Sequence, residues 1–266
     1  MRTGKTSYSS LETEKPDMYG DFALVYDRLM ADVDYDSWAE FYHRMLSSSG
    51  VPDKGTVLEA ACGTGSMTVR LARHYHVLPG DLSLGMLSRA AVKAREYGLD
   101  LPFLCQDMRS LEAHRAVDAV VSVCDGVNYL LTEKDLKRFF RSALSVLKPG
   151  GALAFDISSA YKLRTVLGDT PRIQKEQDIC YFWENRWNRR SQRLLMQLSI
   201  FIRRDDGAWD LIEETQTQRA WERETITSAL EAEGFETIRC FGEKGAAPPA
   251  QRDRRIHFCA NKPKVG

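Results

Sequence analysis

Val57-Leu58-Glu59-Ala60-Ala61-Cys62-Gly63-Thr64-Gly65-Ser66 carries the decisive pattern of this 266-residue chain. A short apolar strand runs into an acid, then small residues, then a Gly-x-Gly turn. Glycine lets a backbone turn tightly and come close to a ligand. The helix expected over 66–76 offers unpaired N–H groups at its start. A sheet end built this way can hold a nucleotide cofactor. A second acid, Asp81, closes the next strand, and a third, Asp107, follows the strand beyond. Acids at successive strand ends suit a ligand with ribose hydroxyls and an adenine amine.

Outward from this stretch the pattern alternates. Strands are expected at 56–59, 76–81, 102–106, 117–124 and 152–157, with helices at 84–97 and 132–147 between them. Ser83 is the expected cap of the first of these helices, and Thr132-Glu-Lys-Asp135 resembles a capping box on the second. Val117–Cys124 is apolar throughout, as a strand covered on both faces must be. Such alternation predicts an α/β fold, a parallel sheet with helices on both faces. Upstream, Phe22, Val25, Tyr26, Leu29 and Met30 recur at helical spacing, as do Trp38, Phe41, Tyr42, Met45 and Leu46 after a cap at Asp36 or Ser37.

Downstream the period changes. Tyr181, Trp183, Asn185 and Trp187 share one face, and Leu194, Met196, Leu198, Ile200 and Ile202 share a face of the next strand. With the hairpin signal Asp205-Asp206-Gly207 and a strand over 209–218, this predicts a three-stranded antiparallel β insert. A helix over 222–233 and strands at 235–241 and 255–260 close the chain. The expected organisation is a disordered tail over 1–16, a helical lid over 17–50, a core over 51–168, the insert over 169–220, and the last helix and two strands of the core over 221–266.

Composition narrows the function. The 37 basic and 37 acidic residues cancel, which argues against a wholesale electrostatic nucleic-acid binder. Arginines 186, 189, 190, 193, 203 and 204 stand among aromatics in the insert, but charge on strand edges also deters aggregation. The six cysteines have no Cys-x-x-Cys spacing and read as buried free thiols of a reducing, cytoplasmic compartment. No run approaches membrane-spanning length. The histidines show no ligand spacing with cysteines or acids, so no metal is expected; His257, in a strand, reads as a satisfied interior residue.

Several of these segments together resemble the class I S-adenosylmethionine-dependent methyltransferases over roughly residues 19–262: Glu59-Ala-Ala-Cys-Gly-Thr-Gly65, Gly80-Asp-Leu-Ser83 with Met86-Leu87, Gln106-Asp107-Met108, Lys148-Pro-Gly-Gly151, Gly234-Phe235 and Arg255-Ile-His-Phe258. The opening Tyr19-Gly-Asp-Phe-Ala23 and Val25-Tyr-Asp27 is similar to members that methylate small molecules, amino-sugar N-methyltransferases among them. The resemblance implies a Rossmann-like, mostly parallel seven-stranded sheet with its last strand antiparallel. The insert would roof the acceptor pocket or make a homodimer contact, with Glu213, Glu214, Gln218 and Arg219 as residues that could face that pocket.

The implied cofactor is S-adenosyl-L-methionine, released as S-adenosyl-L-homocysteine. Gly63 and Gly65, with Ala60, Ala61 and Cys62, would let backbone approach its ribose and methionyl part. Asp81 is suited to both ribose hydroxyls, and charge-assisted bonds of this kind are each worth about 1.5–3 kcal/mol. Gln106, Asp107 and the Met108 backbone are suited to the adenine, and Glu59 to the glycine turn and methionyl amine. Leu82 and Met86 either cover the adenine or belong to the core. Tyr19 and Tyr26 either bond the methionyl carboxylate or touch the acceptor, and packing alone would also explain Tyr26. Trp38 reads as core. Cys124, Asp125, Asn128 and Tyr129 follow the central strand, where an acceptor proton could be guided by Asp125, Tyr129 or Tyr26; Tyr129 could equally cap the pocket wall.

The expected activity is methyl transfer to an amine or hydroxyl of a small molecule. RNA or protein methylation on the same fold, a noncatalytic cofactor-binding protein and an NAD-linked oxidoreductase are the alternatives. The last wants a third glycine where Thr68 stands.

Overall fold

The computed structural model describes residues 21–243, 245 and 247–264. The expected tail over 1–16 and Tyr19 lie outside the described residues.

In chain order, a 3₁₀ turn at Asp21–Leu24 precedes α1 (Tyr26–Leu29) and α2 (Tyr35–Ser47). The α2 cap is Asp34, not Asp36 or Ser37: its carboxylate accepts from the Ser37 N–H at 3.0 Å. Then come β1 (Thr56–Ala60), α3 (Thr68–Leu71), β2 (His76–Asp81), α4 (Leu84–Glu96), β3 (Leu104–Cys105), β4 (Val117–Ser122), α5 (Glu133–Val146) and β5 (Leu147–Ser158). The insert holds β6 (Arg172–Lys175), β7 (Ile179–Asn188), β8 (Arg193–Arg203) and β9 (Trp209–Arg219). The chain returns through α6 (Arg223–Ala232), β10 (Glu236–Phe241) and β11 (Arg255–Asn261). Ser83 and Thr132 cap α4 and α5 as their sequence suggests, accepting from Met86 N and Asp135 N.

The main sheet has seven strands in the order β10-β11-β5-β4-β1-β2-β3. β11 runs antiparallel to both neighbours, and β1–β5 are mutually parallel. Side chains alternate across a strand, so β1, β4 and β5 feed two cores. Leu58, Val120, Leu153 and Phe155 pack with Phe139, Phe140, Ile226 and Leu230 of α5 and α6. Val57, Val121, Ala119, Ala152 and Ala154 pack with Tyr42, Leu46 and Leu71 on the other face.

The second sheet is antiparallel, in the order β6-β7-β8-β9. It has four strands where three were expected, because Arg172–Lys175 adds a wholly exposed edge to β7. The inward face carries the expected row Leu194, Met196, Leu198 and Ile200, which forms a third core with Phe22, Val25, Met86 and Leu163. The helix expected over 66–76 is only Thr68–Leu71; around it the bonds shift to i→i−3, as in Arg70 N to Met67 O and Arg73 N to Arg70 O. The cysteine expectation also needs correcting: Cys62 and Cys259 are buried, but Cys105 is exposed and the others lie between.

Candidate active site

β1 and β4 are neighbours whose connections leave in opposite directions across the sheet. Such a switch point leaves a crevice beyond the strand ends. A cavity of about 910 Å³ opens there. It runs from the loop after β1, past Asp81 and Asp107, to the inward face of the insert, and Phe22, Tyr26 and Leu29 wall one side.

The loop after β1 is held in left-handed backbone, with φ of 60° at Ala61, 55° at Gly63 and 80° at Gly65. A non-glycine residue there is strained. The two glycines do different work. A Cβ built on Gly63 meets nothing within 4 Å, whereas one on Gly65 would lie 3.0 Å from Ala90 Cβ. Gly63 therefore fronts open space, and Gly65 lets α4 approach the loop. Asp81 ties the arrangement together, its carboxylate accepting from Gly63 N at 2.8 Å and Ser83 N at 2.9 Å. Glu59 is buried and accepts from Thr68 Oγ1 at 2.5 Å. Burial pushes its carboxyl up to about 8; the Thr68 bond opposes the rise and the nearby Asp81 charge adds to it. Thr68 thus holds an acid in place at the position where a dinucleotide fingerprint has its third glycine.

Farther along, Asp107 meets a partner the sequence did not announce. Arg109 Nε lies 2.9 and 3.0 Å from its oxygens, and Arg109 N donates to it at 2.8 Å. Burial raises the Asp107 carboxyl, but these bonds and the guanidinium charge outweigh burial and hold it below the usual range. Arg109 also reaches Asp135 at 3.3 Å. Gln106 Oε1 accepts from Glu112 N, while its buried Nε2 has no partner among the described residues. Leu82 is 57% exposed on the cavity wall, able to cover a flat ring; Met86 is 3% exposed and belongs mainly to the third core.

On the lid side, the Asp27 carboxylate accepts from Thr64 Oγ1 at 2.6 Å and Lys93 Nζ at 2.8 Å, and Lys93 also donates to Ser66 Oγ at 2.7 Å. This cluster pins the N-terminal segment that carries Asp27 to the glycine loop. Burial, reinforced by nearby Cys124, raises the Tyr26 phenol well above its ordinary range, so it stays protonated.

Beyond β4, Cys124 and Asp125 are both left-handed, with φ of 64° and 56°. That turn directs Asp125 into the cavity. Its carboxylate accepts from Gln218 Nε2 at 2.7 Å and Arg255 at 3.1 Å. Burial raises Asp125, but Arg255 and Lys162 outweigh it, so the acid sits below the usual carboxylate range. Arg255 also bonds Asp156 and lies 4.6 Å over the Trp38 ring. Behind it, Tyr42 bonds His257 Nδ1 at 3.2 Å, and burial presses His257 down to about 4. Tyr129 donates to Gln216 Oε1 at 2.7 Å.

Fourteen of the seventeen sequence-predicted site residues that fall in the described region line this one cavity: Tyr26, Glu59, Ala61, Cys62, Gly63, Asp81, Leu82, Met86, Gln106, Asp107, Met108, Cys124, Asp125 and Tyr129. Ala60, Gly65 and Asn128 do not. Ala60 belongs to the core, and Gly65 packs on Ala90. The Asn128 amide is spent on Ser158 N, Ser158 O and Arg219 O, stitching β5 to β9. Of the insert residues expected at the pocket, Gln218 lines it, whereas Glu213, Glu214 and Arg219 do not; Gln216 does instead. Sequence reading also missed Asp27, Lys93, Arg109, Lys162 and Arg255. Gln216 was signalled by sharing a period-two face with Gln218, and Asp27 by its place in Val25-Tyr-Asp27. Lys93 and Lys162 carry no local signal.

A family model described as a methyltransferase domain matches residues 57–151. The chain is 35% identical over 250 residues to "Putative methyltransferase YqeM" of Bacillus subtilis (strain 168), covering 93% of this chain and 98% of that protein. It is 30% identical over 112 residues to dTDP-3-amino-3,4,6-trideoxy-alpha-D-glucopyranose N,N-dimethyltransferase of Streptomyces venezuelae, 42% of this chain and 46% of that protein. The solved S-adenosylmethionine-dependent methyltransferase from Clostridium acetobutylicum ATCC 824 superposes with a TM-score of 0.84 at 30% identity, covering 92% of this chain and 99% of that one.

Proposed function

Because the chain belongs to the S-adenosylmethionine-dependent methyltransferases, we propose that it methylates an amine or hydroxyl of a small molecule. The observation that carries this reading is the continuity of the cavity. Acids suited to an adenosyl ligand at one end and the inner face of the insert, with Gln216 and Gln218, at the other share one continuous cavity.

The residues fit the cofactor. Gly63 faces space that a side chain would enter, and Glu59, Asp81 and Asp107 stand at the ends of successive strands or just beyond them. In this reading Asp81 and the Gly63 backbone hold the ribose and methionyl portion. Asp107, Met108 and exposed Leu82 frame the adenine, Glu59 supports the loop, and Tyr26 closes the methionyl end. When bound, S-adenosylmethionine supplies an electrophilic sulfonium methyl open to in-line displacement. The chain's part is positioning, which is worth on the order of 7–11 kcal/mol in favourable cases, and exclusion of water beneath the lid and insert. Ionised Asp125, fixed by Arg255 and Gln218, can accept a hydrogen bond from the attacking N–H or O–H. Tyr26 stays protonated and so serves as a donor, and Tyr129 is oriented by Gln216.

Two measurements test the reading. Denaturing mass spectrometry and calorimetry should show S-adenosyl ligand bound to the purified protein. A labelled-methyl screen over amines, phenols and amino sugars should give turnover. Binding without turnover on any small acceptor, alongside transfer to RNA or protein, would overturn the acceptor assignment.

A further inference from the structure

The acceptor end of the cavity is lined by cations that no carboxylate touches. Lys162 opens the six-residue π-helical segment after β5, and its ammonium donates to Ser158 Oγ at 2.9 Å. Among the described residues no carboxylate lies within ion-pairing distance of it. The nearby acids are already engaged: Asp125 by Gln218 and Arg255, and Asp156 by Arg255, the Asp125 N–H and Tyr42. Arg172, on edge strand β6, lines the same wall, and no bond or ion pair to its guanidinium is formed among the described residues. Burial presses the Lys162 ammonium below its ordinary range; nearby Asp125 and Asp156 oppose the fall, and Arg255 and, least, Arg172 add to it.

The neutral groups on this wall point the same way. Arg172 is directly cross-strand from Trp183, whose buried indole N–H has no partner among the described residues. Gln216, 7% exposed, accepts from Tyr129 through Oε1, but its buried Nε2 likewise has no partner among the described residues. Of the acids here, Glu176 accepts from Gln174 at 2.9 Å, and Asp32 lines the same cavity without reaching ion-pairing distance of either cation. This end of the cavity therefore holds two cations without a carboxylate partner and two unbonded buried donors among the described residues. Like charges side by side and buried donors left unbonded are both costly, and a ligand presenting several anionic oxygens relieves both.

We propose that the methyl acceptor carries a carboxylate or a phosphate group, held between Lys162 and Arg172 while Asp125 faces the atom that receives the methyl. The inference rests on the methyltransferase reading and adds the charge class of its acceptor.

The test holds the full-length protein at saturating S-adenosylhomocysteine. Inorganic phosphate and acetate are each titrated in at constant ionic strength set by chloride, with tryptophan fluorescence and calorimetry as readouts. Saturable binding of at least one anion is expected; phosphate alone marks a phosphate-bearing acceptor, and acetate alone a carboxylate-bearing one. Lys162→Met and Arg172→Gln should each weaken that binding at least fivefold, with Lys162→Arg retaining most of it and S-adenosylhomocysteine affinity unchanged throughout. Arg172 is exposed on an edge strand, so its variant tests the site even if Lys162→Met fails to fold. Binding of neither anion, or equal binding by the Arg172→Gln variant, overturns the proposal while the methyltransferase reading stands. Failure of the unmodified protein to bind S-adenosylhomocysteine overturns both.

Discussion

The Lys93 ammonium lies 2.8 Å from the Asp27 carboxylate, joining the segment that closes the cavity to the helix that packs on the glycine loop. Lys93 is carried by α4 at the Ala90 end, where Gly65 makes its close approach, and Thr64 and Ser66 of the loop share the same cluster. The N-terminal segment is thus fastened to the glycine loop by charge and hydrogen bonds as well as by the Phe22 and Val25 contacts of the third core.

Asp27→Ala should loosen the lid without unfolding the core. The pair is partly exposed, where ion pairs contribute at most about 1 kcal/mol, so the melting temperature should fall by no more than about 2–4 °C. S-adenosylhomocysteine affinity should drop roughly fivefold, about the same energy, and limited proteolysis should cut faster between residues 21 and 34. Unchanged affinity and cleavage would remove Asp27 from the closing device.

Glu59 gives a pH signature. Its carboxyl rises in the fold from 4.5 to about 8, so ionisation is disfavoured in the folded state. The contribution is fully favourable below pH 4.5 and is lost as pH climbs through about 8. At about 1.4 kcal/mol per tenfold, the loss is bounded at roughly 5 kcal/mol. Glu59→Gln keeps an oxygen for the Thr68 hydroxyl and cannot ionise. Its melting temperature should match wild type at pH 4 and exceed it by at least about 4 °C at pH 9, while cofactor affinity falls. Parallel melting curves across this range would show that Glu59 is ionised without penalty.

The two loop glycines separate stability from binding. Gly65→Ala forces a Cβ to within 3.0 Å of Ala90 Cβ at a φ of 80°, and should cost about 2–3 kcal/mol from strain and overpacking. Gly63→Ala meets no neighbour, so it should cost only about 1 kcal/mol of backbone strain yet weaken S-adenosylhomocysteine binding at least tenfold. Chemical denaturation and calorimetry on both variants check this; a reversed order would place the ligand against Gly65.

The architecture was legible because its signals are local. Val57–Gly65, Val117–Cys124 and the Leu194–Ile202 alternation each state a strand and a face within ten residues. What escaped depends on distance. Arg172–Lys175 is a strand only because β7 supplies its partners; it buries nothing and so shows no alternation. Arg109 went unread as the partner of Asp107 because nothing in the sequence says which way its side chain turns. Asn128 stood in the right loop, yet its amide bridges β5 and β9, residues 30 and 91 positions away. Arg255 lay inside a quoted motif, but its role follows from β11 pairing with β5 beside Asp156. Sequence supplied the end of the cavity made of the consecutive loops after β1, β2 and β3. The end toward the insert is assembled across sheets, and only the structure brings it together.

That assembly hinges on Arg255, which bonds Asp125 and Asp156 at once. Removing a shared buried cation leaves uncompensated carboxylates, at a typical cost of about 3–5 kcal/mol, so Arg255→Met should lose close to 10 °C or more in melting temperature. Asp125→Asn is milder, since the amide still reaches Gln218 and Arg255 keeps Asp156. The difference between the two variants exposes the sign of the Asp125 shift. Its carboxyl is depressed in the fold, so its stabilisation is present above the ordinary carboxylate value and vanishes as pH falls through the lower, folded one. Wild type should therefore be more stable than Asp125→Asn at pH 7.5, with the gap narrowing as pH falls below the ordinary carboxylate range. Once an acceptor is in hand, the same variant should lose at least tenfold in kcat while cofactor affinity holds, because the ionised oxygen that orients the attacking group is gone. A gap in melting temperature that persists into acid would mean Asp125 contributes through packing alone, and an unchanged kcat would remove it from the reaction.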